Sequence, residues 1–147
     1  MDKLLIQNAR VYQDGHFITA DVLCVDSLIA KIGQNLEAED AQVIDAGGRR
    51  LIPGLIDVHT HGAAGVDVNA ADEAGLRKIA AFFATQGVTA FHASVLTDTP
   101  ETTEGCLGAI ANVMRDRGMG AQLLGAHLEG PFLAKEYKGA MPEHLLR

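Results

Sequence analysis

The alternation of apolar and polar positions changes its period near Pro53. Ahead of it, short β-like runs follow one another: Leu4-Leu5-Ile6, Val11-Tyr12, His16-Phe17-Ile18, Val22-Leu23-Cys24-Val25, Leu28-Ile29-Ala30-Lys31-Ile32 and Val43-Ile44. Asp14-Gly15, Asp26-Ser27 and Gly47-Gly48 separate them, and Asp-Gly is a strong hairpin signal because tight primed turns need positive φ. Residues 1–52 therefore predict a small sheet or half-sandwich. Nothing in this stretch looks chemical, and His16, beside a turn, reads as a solvated side chain.

From Pro53 the order becomes strand, helix, strand, helix, strand. An apolar run, Leu51 to Val58, ends in His59-Thr60-His61-Gly62. Leu76, Ile79, Ala80 and Phe83 then fall on one helical face, with Asn69 or Asp72 as the cap and Gly87 as the stop. Val88-Thr89-Ala90-Phe91 begins a second strand. Thr99-Pro100 starts a second helix, whose predicted buried stripe is Leu107, Ile110, Ala111 and Met114, with Gly118 closing it. Gln122 to Ala126 opens a third strand. Strand starts roughly 33 residues apart, joined by helices, fit parallel βα units. The uncharged stretch from Ile79 to Thr97 is long enough to raise a membrane span. Gln86, Gly87, His92 and Ser94 divide it instead into helix end, turn and strand.

Composition narrows the picture only a little. A chain of 147 residues has room for roughly one domain, and 48% hydrophobic with 21% charged residues is ordinary globular composition. A formal charge of −7 argues against a nucleic-acid partner but leaves small anionic substrates open. Cys24 and Cys106 have no metal-type spacing and read as reduced thiols of a cytosolic protein. The first residues show no signal-peptide pattern.

The candidate chemistry lies at the strand ends. Side chains alternate along a strand, so His59 and His61 point the same way, about 7 Å apart along the backbone. Alone, His-x-His is more often a strand that happens to end in histidines. The third strand, however, runs into His127-Leu128-Glu129-Gly130-Pro131-Phe132, with His127 and Glu129 on one face and Glu129 at the C-terminal end. In parallel βα folds the active site forms at those ends. Two neutral imidazoles and a carboxylate suit a divalent metal, zinc or iron. The bland alternative for Glu129 is a solvated loop carboxylate.

These segments resemble the amidohydrolase superfamily and, within it, the N-acetylglucosamine-6-phosphate deacetylase family. Pro53 to Gly62 is similar to the superfamily's first barrel strand, and Gly125-Ala126-His127-Leu128-Glu129-Gly130-Pro131-Phe132-Leu133 with Lys138-Gly139-Ala140 is similar to the deacetylases' third-strand segment. The resemblance covers essentially the whole chain. It implies an α/β protein: an N-terminal β-sandwich segment (1–52), then the first three βα units of an incomplete metal-dependent hydrolase (β/α)8 TIM barrel (53–147). It implies removal of the acetyl group from N-acetylglucosamine 6-phosphate, with one or two divalent ions. Glu129 would be the principal metal ligand, His59 and His61 would bind a second ion, and Ala140 and Met141 would lie against the sugar. A small-molecule amino-sugar phosphate is the implied partner, with no nucleic acid and no membrane, in a cytoplasmic enzyme that is a homodimer at full length.

Three departures stand out. Met141 replaces a polar residue, often histidine, that contacts substrate in relatives, leaving room there for a backbone contact. His92-Ala93-Ser94 replaces Leu-Pro-Thr or similar, and His92 reads as a packed strand histidine rather than an extra ligand. His127 fits either a group behind the ligands or one facing substrate, while His144 has no argued role. Length is the third departure. A full barrel needs about 250 residues, so the chain reads as an N-terminal fragment, inactive alone, with the family's catalytic aspartate beyond its end. The competing readings are another metal amidohydrolase, of the D-aminoacylase or dihydroorotase type, and a non-catalytic metal-binding module.

Overall fold

A computed structural model describes residues 2–116 and 120–147. The first half is built on β1 (Lys3–Gln13) and β2 (His16–Val25), which pair antiparallel through the Asp14-Gly15 turn. Both turn residues have positive φ, +51° and +84°, as the sequence requires. β3 (Leu28–Gly33) extends β2 antiparallel, while β4 (Gln42–Asp45) and β5 (Arg50–Leu51) run parallel to β1. A bulge interrupts the β1–β2 register between Ile6 and Ala9, where Asn8 takes φ +56°. The bulge leaves Asn8's N–H without a ladder partner, and the buried Asp21 carboxylate accepts it at 2.9 Å. The other Asp21 oxygen accepts the Leu36 N–H at 3.0 Å. A buried carboxylate is tolerable only when satisfied in this way. Ala9, Val11, Ala20 and Val22 form the small core.

The second half carries the three parallel strands: β6 (Leu55–Thr60), β9 (Val88–Leu96) and β10 (Gln122–Glu129), in the order β10-β9-β6. Between β6 and β9 come a two-stranded hairpin, β7 (Gly62–Ala63) with β8 (Val66–Asp67), and helix α1 (Glu73–Thr85). Helix α2 (Pro100–Val113) joins β9 to β10. Asp72 caps α1, accepting the Gly75 N–H, and Thr99 caps α2, accepting the Thr102 N–H with Pro100 at the first turn. Gly87 follows α1 at φ +77°. The predicted α1 face is the buried one: Leu76, Ile79, Ala80 and Phe83 pack with Phe91, Ala93 and Val95 of β9. Among the described residues, no helix is long and apolar enough to cross a membrane.

Helix α2 departs from expectation. Its buried residues are Cys106, Ile110 and Val113, whereas Leu107 and Met114 are each 36% exposed and Ala111 is exposed as well. Two apolar stripes overlap on this helix, sharing Ile110. Tertiary packing selects the one that carries Cys106, whose Sγ donates to the Asn69 carbonyl at 3.3 Å. Burial pushes the Cys106 thiol pKa up, which suits a packed thiol rather than a reactive one. The expected stop at Gly118 lies outside the described residues.

The chain divides by internal contacts into two units, Met1–Pro53 and Gly54–Arg147. All the candidate chemistry sits in the second.

Candidate metal centre

Strand β6 brings its histidines to the end of the sheet through an irregularity. Asp57 pairs with Phe91 and Thr60 with Ala93, so one extra β6 residue is taken up between them. Strict alternation predicts Asp57 on the histidine face. The bulge removes that relation and leaves Asp57 level with the core-facing Phe91. Its Oδ1 accepts the His59 N–H at 3.0 Å, folding the carboxylate back on its own strand. After His61 the chain must leave sharply. Gly62 does this at φ +143°, where an added Cβ would run into the Val66 carbonyl of the facing hairpin strand.

Strand β10 is regular along its last half, and its register against β9 sets Ser94 beside His127 and Leu96 beside Glu129. Glu129 therefore emerges at the same C-terminal end of the sheet as the two histidines. His59 Nε2 lies 3.1 Å from Glu129 Oε2, His61 Nε2 lies 3.0 Å from the same oxygen, and the two Nε2 atoms are 3.2 Å apart. Among the described residues these three form one group of potential metal ligands.

The triangle is poorly explained by hydrogen bonding alone. A ring nitrogen carries at most one proton, and a hydrogen bond needs that proton on the line between two atoms. His61 Nδ1 faces the Ser94 carbonyl at 3.2 Å. A carbonyl can only accept, so this contact favours the tautomer with the proton on Nδ1, in which the neutral form of the ring turns a bare Nε2 toward Glu129. That lone pair is aimed at a carboxylate oxygen and at a second imidazole nitrogen, an arrangement a shared cation relieves. Ligand atoms about 2.0–2.1 Å from one ion at ordinary coordination angles lie roughly 3.0–3.4 Å apart. All three separations here fall within that range. The donor set fits a divalent cation, and the contact from His61 Nδ1 to a carbonyl is the kind that orients a metal-binding histidine.

The side chains are far from sealed: His59 is 51% exposed, His61 41% and Glu129 34%. A shallow, open depression lies beside His61, lined by Gly62, Ala63, Gly65, Val66 and Asp67. The other histidines stand outside the triangle. His127 bonds through Nδ1 to the Ser94 hydroxyl at 3.0 Å, and its ring centroid lies 4.7 Å from that of His59. His92 is level with Gly125, where an added Cβ would lie in ordinary contact with the ring at 3.6 Å. His144 is exposed in a short turn at Glu143–Leu145.

At the expected substrate segment, Ala140 is exposed but Met141 is buried at 6%. Met141's N–H donates to the Lys138 carbonyl at 3.1 Å, and its own carbonyl accepts from Lys138 Nζ at 2.9 Å. Both its backbone groups already have partners within the turn.

Two residues of consequence escape the sequence reading. Asn69, expected at most to cap a helix, clamps the end of β9 with its side-chain amide. Its Oδ1 accepts the Leu96 N–H at 2.8 Å, and its Nδ2 donates to the Leu96 carbonyl and to Asp98 Oδ2, each at 3.2 Å. Ser94 is the other. The sequence marks it only as a polar residue in the strand and as part of the departing His92-Ala93-Ser94 segment, with no role assigned.

No family model matches the chain. Relatives do. It is 32% identical over 140 residues to an N-acetylglucosamine-6-phosphate deacetylase of Lysinibacillus sphaericus, an overlap of 95% of this chain and 36% of that protein. It is 37% identical over 147 residues to an N-acetylgalactosamine-6-phosphate deacetylase of Escherichia coli O157:H7, covering 100% of this chain and 38% of that protein. In structure it matches a crystal structure of N-acetylglucosamine-6-phosphate deacetylase from Pasteurella multocida with a TM-score of 0.88 at 24% identity, covering 99% of this chain and 38% of that one. The chain thus spans well under half the length of the relatives it matches. Its α/β fold, with a His-His-Glu group at the ends of parallel strands, is that of the N-terminal region of the amidohydrolases, a class of hydrolytic enzymes. Within that class it corresponds to the N-terminal part of the N-acetylglucosamine-6-phosphate deacetylases.

Proposed function

We propose that this chain is the N-terminal part of a metal-dependent deacetylase that hydrolyses the acetamide of N-acetylglucosamine 6-phosphate to glucosamine 6-phosphate and acetate. The observation that carries this reading is the convergence of His59, His61 and Glu129 within 3.2 Å of one another, in a chain whose relatives are deacetylases. The second unit is then the opening of a (β/α)8 barrel, its first three βα units. The free edges of β6 and β10, with Ile56, Val58 and Leu128 exposed, suit a sheet that continues on both sides. The first unit is then a β-sandwich segment, and exposed Leu28, Ile29 and Val43 suit a second layer over it. The cytoplasmic homodimer expected of such an enzyme rests on the resemblance alone.

His59, His61 and Glu129 would hold a divalent cation, zinc or iron, with one or two ions in the complete site. Such a cation, when bound, supplies a water of lowered pKa and polarises the amide carbonyl. The chain's own groups prepare for it. The Ser94 carbonyl favours the His61 proton on Nδ1, Asp57 fixes the His59 backbone, and Glu129 provides the one negative charge. The open depression beside His61 gives a small substrate access to that corner. Ala140, exposed, remains a candidate sugar contact. Met141 would act there through packing, since its backbone groups are engaged.

A second reading differs only in the sugar. The similarity to an N-acetylgalactosamine-6-phosphate deacetylase makes the C4 epimer a candidate substrate. A chimera in which residues 1–147 replace the matching segment of the Lysinibacillus sphaericus deacetylase tests both. We expect acetate release from N-acetylglucosamine 6-phosphate, with less from the galactose epimer, and none in a Glu129→Ala chimera. A folded, metal-loaded chimera that deacetylates neither sugar contradicts the assignment.

A further inference from the structure

We propose that Ser94 is a positioning residue for the His59-His61-Glu129 group, acting on both histidines at once from the central strand. This rests on the metal-binding reading above. It adds a role for Ser94 and His127, neither of which belongs to the triangle.

Ser94 is 0% exposed, in the middle strand of the sheet. Burying an unbonded hydroxyl is unfavourable, so a serine there needs a partner. It has two attachments, one from each of its polar groups. Its carbonyl accepts the His61 Nδ1 proton at 3.2 Å, toward β6. Its hydroxyl bonds to His127 Nδ1 at 3.0 Å, toward β10. Parallel register puts His127 directly beside Ser94, so the bond runs straight across the ladder. The His127 ring then lies 4.7 Å from the His59 ring, tilted at 56°.

The consequence is a closed chain of contacts around the donor triangle. His61 is held through the Ser94 carbonyl. His59, half exposed and with no side-chain partner outside the triangle among the hydrogen bonds described, rests against the tilted ring of His127. Without the hydroxyl, His127 can turn about its own side-chain bonds, and the wall against which His59 rests moves with it. Groups behind metal ligands commonly matter by 10–100-fold in affinity.

The test is equilibrium binding of Zn²⁺ to the 147-residue chain, by competition with a chromophoric chelator at fixed pH, for wild type, Ser94→Ala and Ser94→Thr. The d–d spectrum of the Co²⁺-loaded proteins reports ligand geometry, and thermal unfolding of the metal-free proteins reports packing. Ser94→Ala is expected to bind Zn²⁺ about 10-fold or more weaker and to shift the Co²⁺ spectrum, with unfolding of the metal-free chain little changed. Ser94→Thr, which keeps a hydroxyl, restores affinity to within about threefold. His127→Phe, which keeps a ring but loses the bond, behaves like Ser94→Ala. A Ser94→Ala protein that binds as wild type does, with the same spectrum, overturns the positioning role of the Ser94 hydroxyl and leaves the metal reading standing. So does a Ser94→Thr protein as weak as Ser94→Ala. A wild-type chain that binds no Zn²⁺ overturns both this role and the metal reading.

Discussion

His61 and Ser94 are joined across the sheet: the imidazole Nδ1 donates to the serine carbonyl at 3.2 Å, and the far ring nitrogen lies 3.0 Å from Glu129 Oε2. A proton on Nδ1 of a site histidine is thus favoured by main chain, from a strand that contributes no ligand. A side-chain substitution at Ser94 leaves the carbonyl, and so that contact, in place.

Glu129 brings the only negative charge to the triangle, so its loss is the most damaging. Glu129→Ala should weaken Zn²⁺ binding by about 100-fold or more. His59→Ala and His61→Ala should each weaken it by less, because two donors including the carboxylate remain. Glu129→Gln, with the shape kept and the charge removed, should resemble Glu129→Ala. Titration of purified variants against a metal-sensitive chelator measures all four. An unchanged affinity in Glu129→Ala would sink the assignment.

The triangle is legible in the sequence because it depends on period alone. His59 and His61 two apart, and Glu129 at the end of a strand of the same direction, converge at whichever end of a parallel sheet the strands share. The α1 core face and both helix caps are legible for the same reason, since Asp72, Thr99 and Pro100 act on their own neighbours. What depends on partners far along the chain is not. The buried side of α2 is chosen by what Cys106 meets, and two apolar stripes one residue apart cannot be ranked by spacing. Asp57 leaves the histidine face because of a bulge that no residue type announces. Asn69 looks like a cap and serves as a clamp because the partner it satisfies, Leu96, is 27 positions away.

That clamp is testable by itself. Asn69→Ala leaves both polar backbone groups of Leu96 without their side-chain partner and should cost about 1–3 kcal/mol, the usual penalty for orphaned, partly buried groups. Urea unfolding measures it. A variant as stable as wild type would mean that water replaces the amide without loss.

Asp98 gives the clamp a pH dependence. The Thr99 N–H donates to its carboxylate at 2.7 Å and the Asn69 amide at 3.2 Å, which together hold its pKa below the ordinary aspartate range. For a carboxyl whose folded pKa is depressed, the unfolded chain takes up the proton first as pH falls. The stabilisation is therefore complete above the unfolded value, near 3.9, and drains away as pH falls through the lower folded value. Stability should decline below about pH 4 in wild type, and Asp98→Ala should show a shallower decline over the same window. Urea midpoints at a series of pH values decide it. Parallel curves for the two proteins would remove Asp98 from the account.

The 147-residue chain by itself is expected to release no acetate from N-acetylglucosamine 6-phosphate, even when loaded with metal. Amide hydrolysis needs more than a bound cation. A base must take the proton of the attacking water, typically worth 10²–10⁴-fold, and the developing oxyanion needs donors in a site that keeps bulk water away. Around the triangle, the described residues offer little of either. Asp57 is folded back onto the His59 N–H, and His127 is committed through Nδ1 to Ser94. The three donors are themselves between 34% and 51% exposed, so solvent screens each charge more than a closed site would. Binding without turnover is what such a corner supports. The assay is acetate release by the Zn²⁺-loaded chain, with Glu129→Ala as the control. A rate near 1 s⁻¹ or above, within the ordinary enzyme range and lost in that control, would show that the exposed corner suffices for the chemistry.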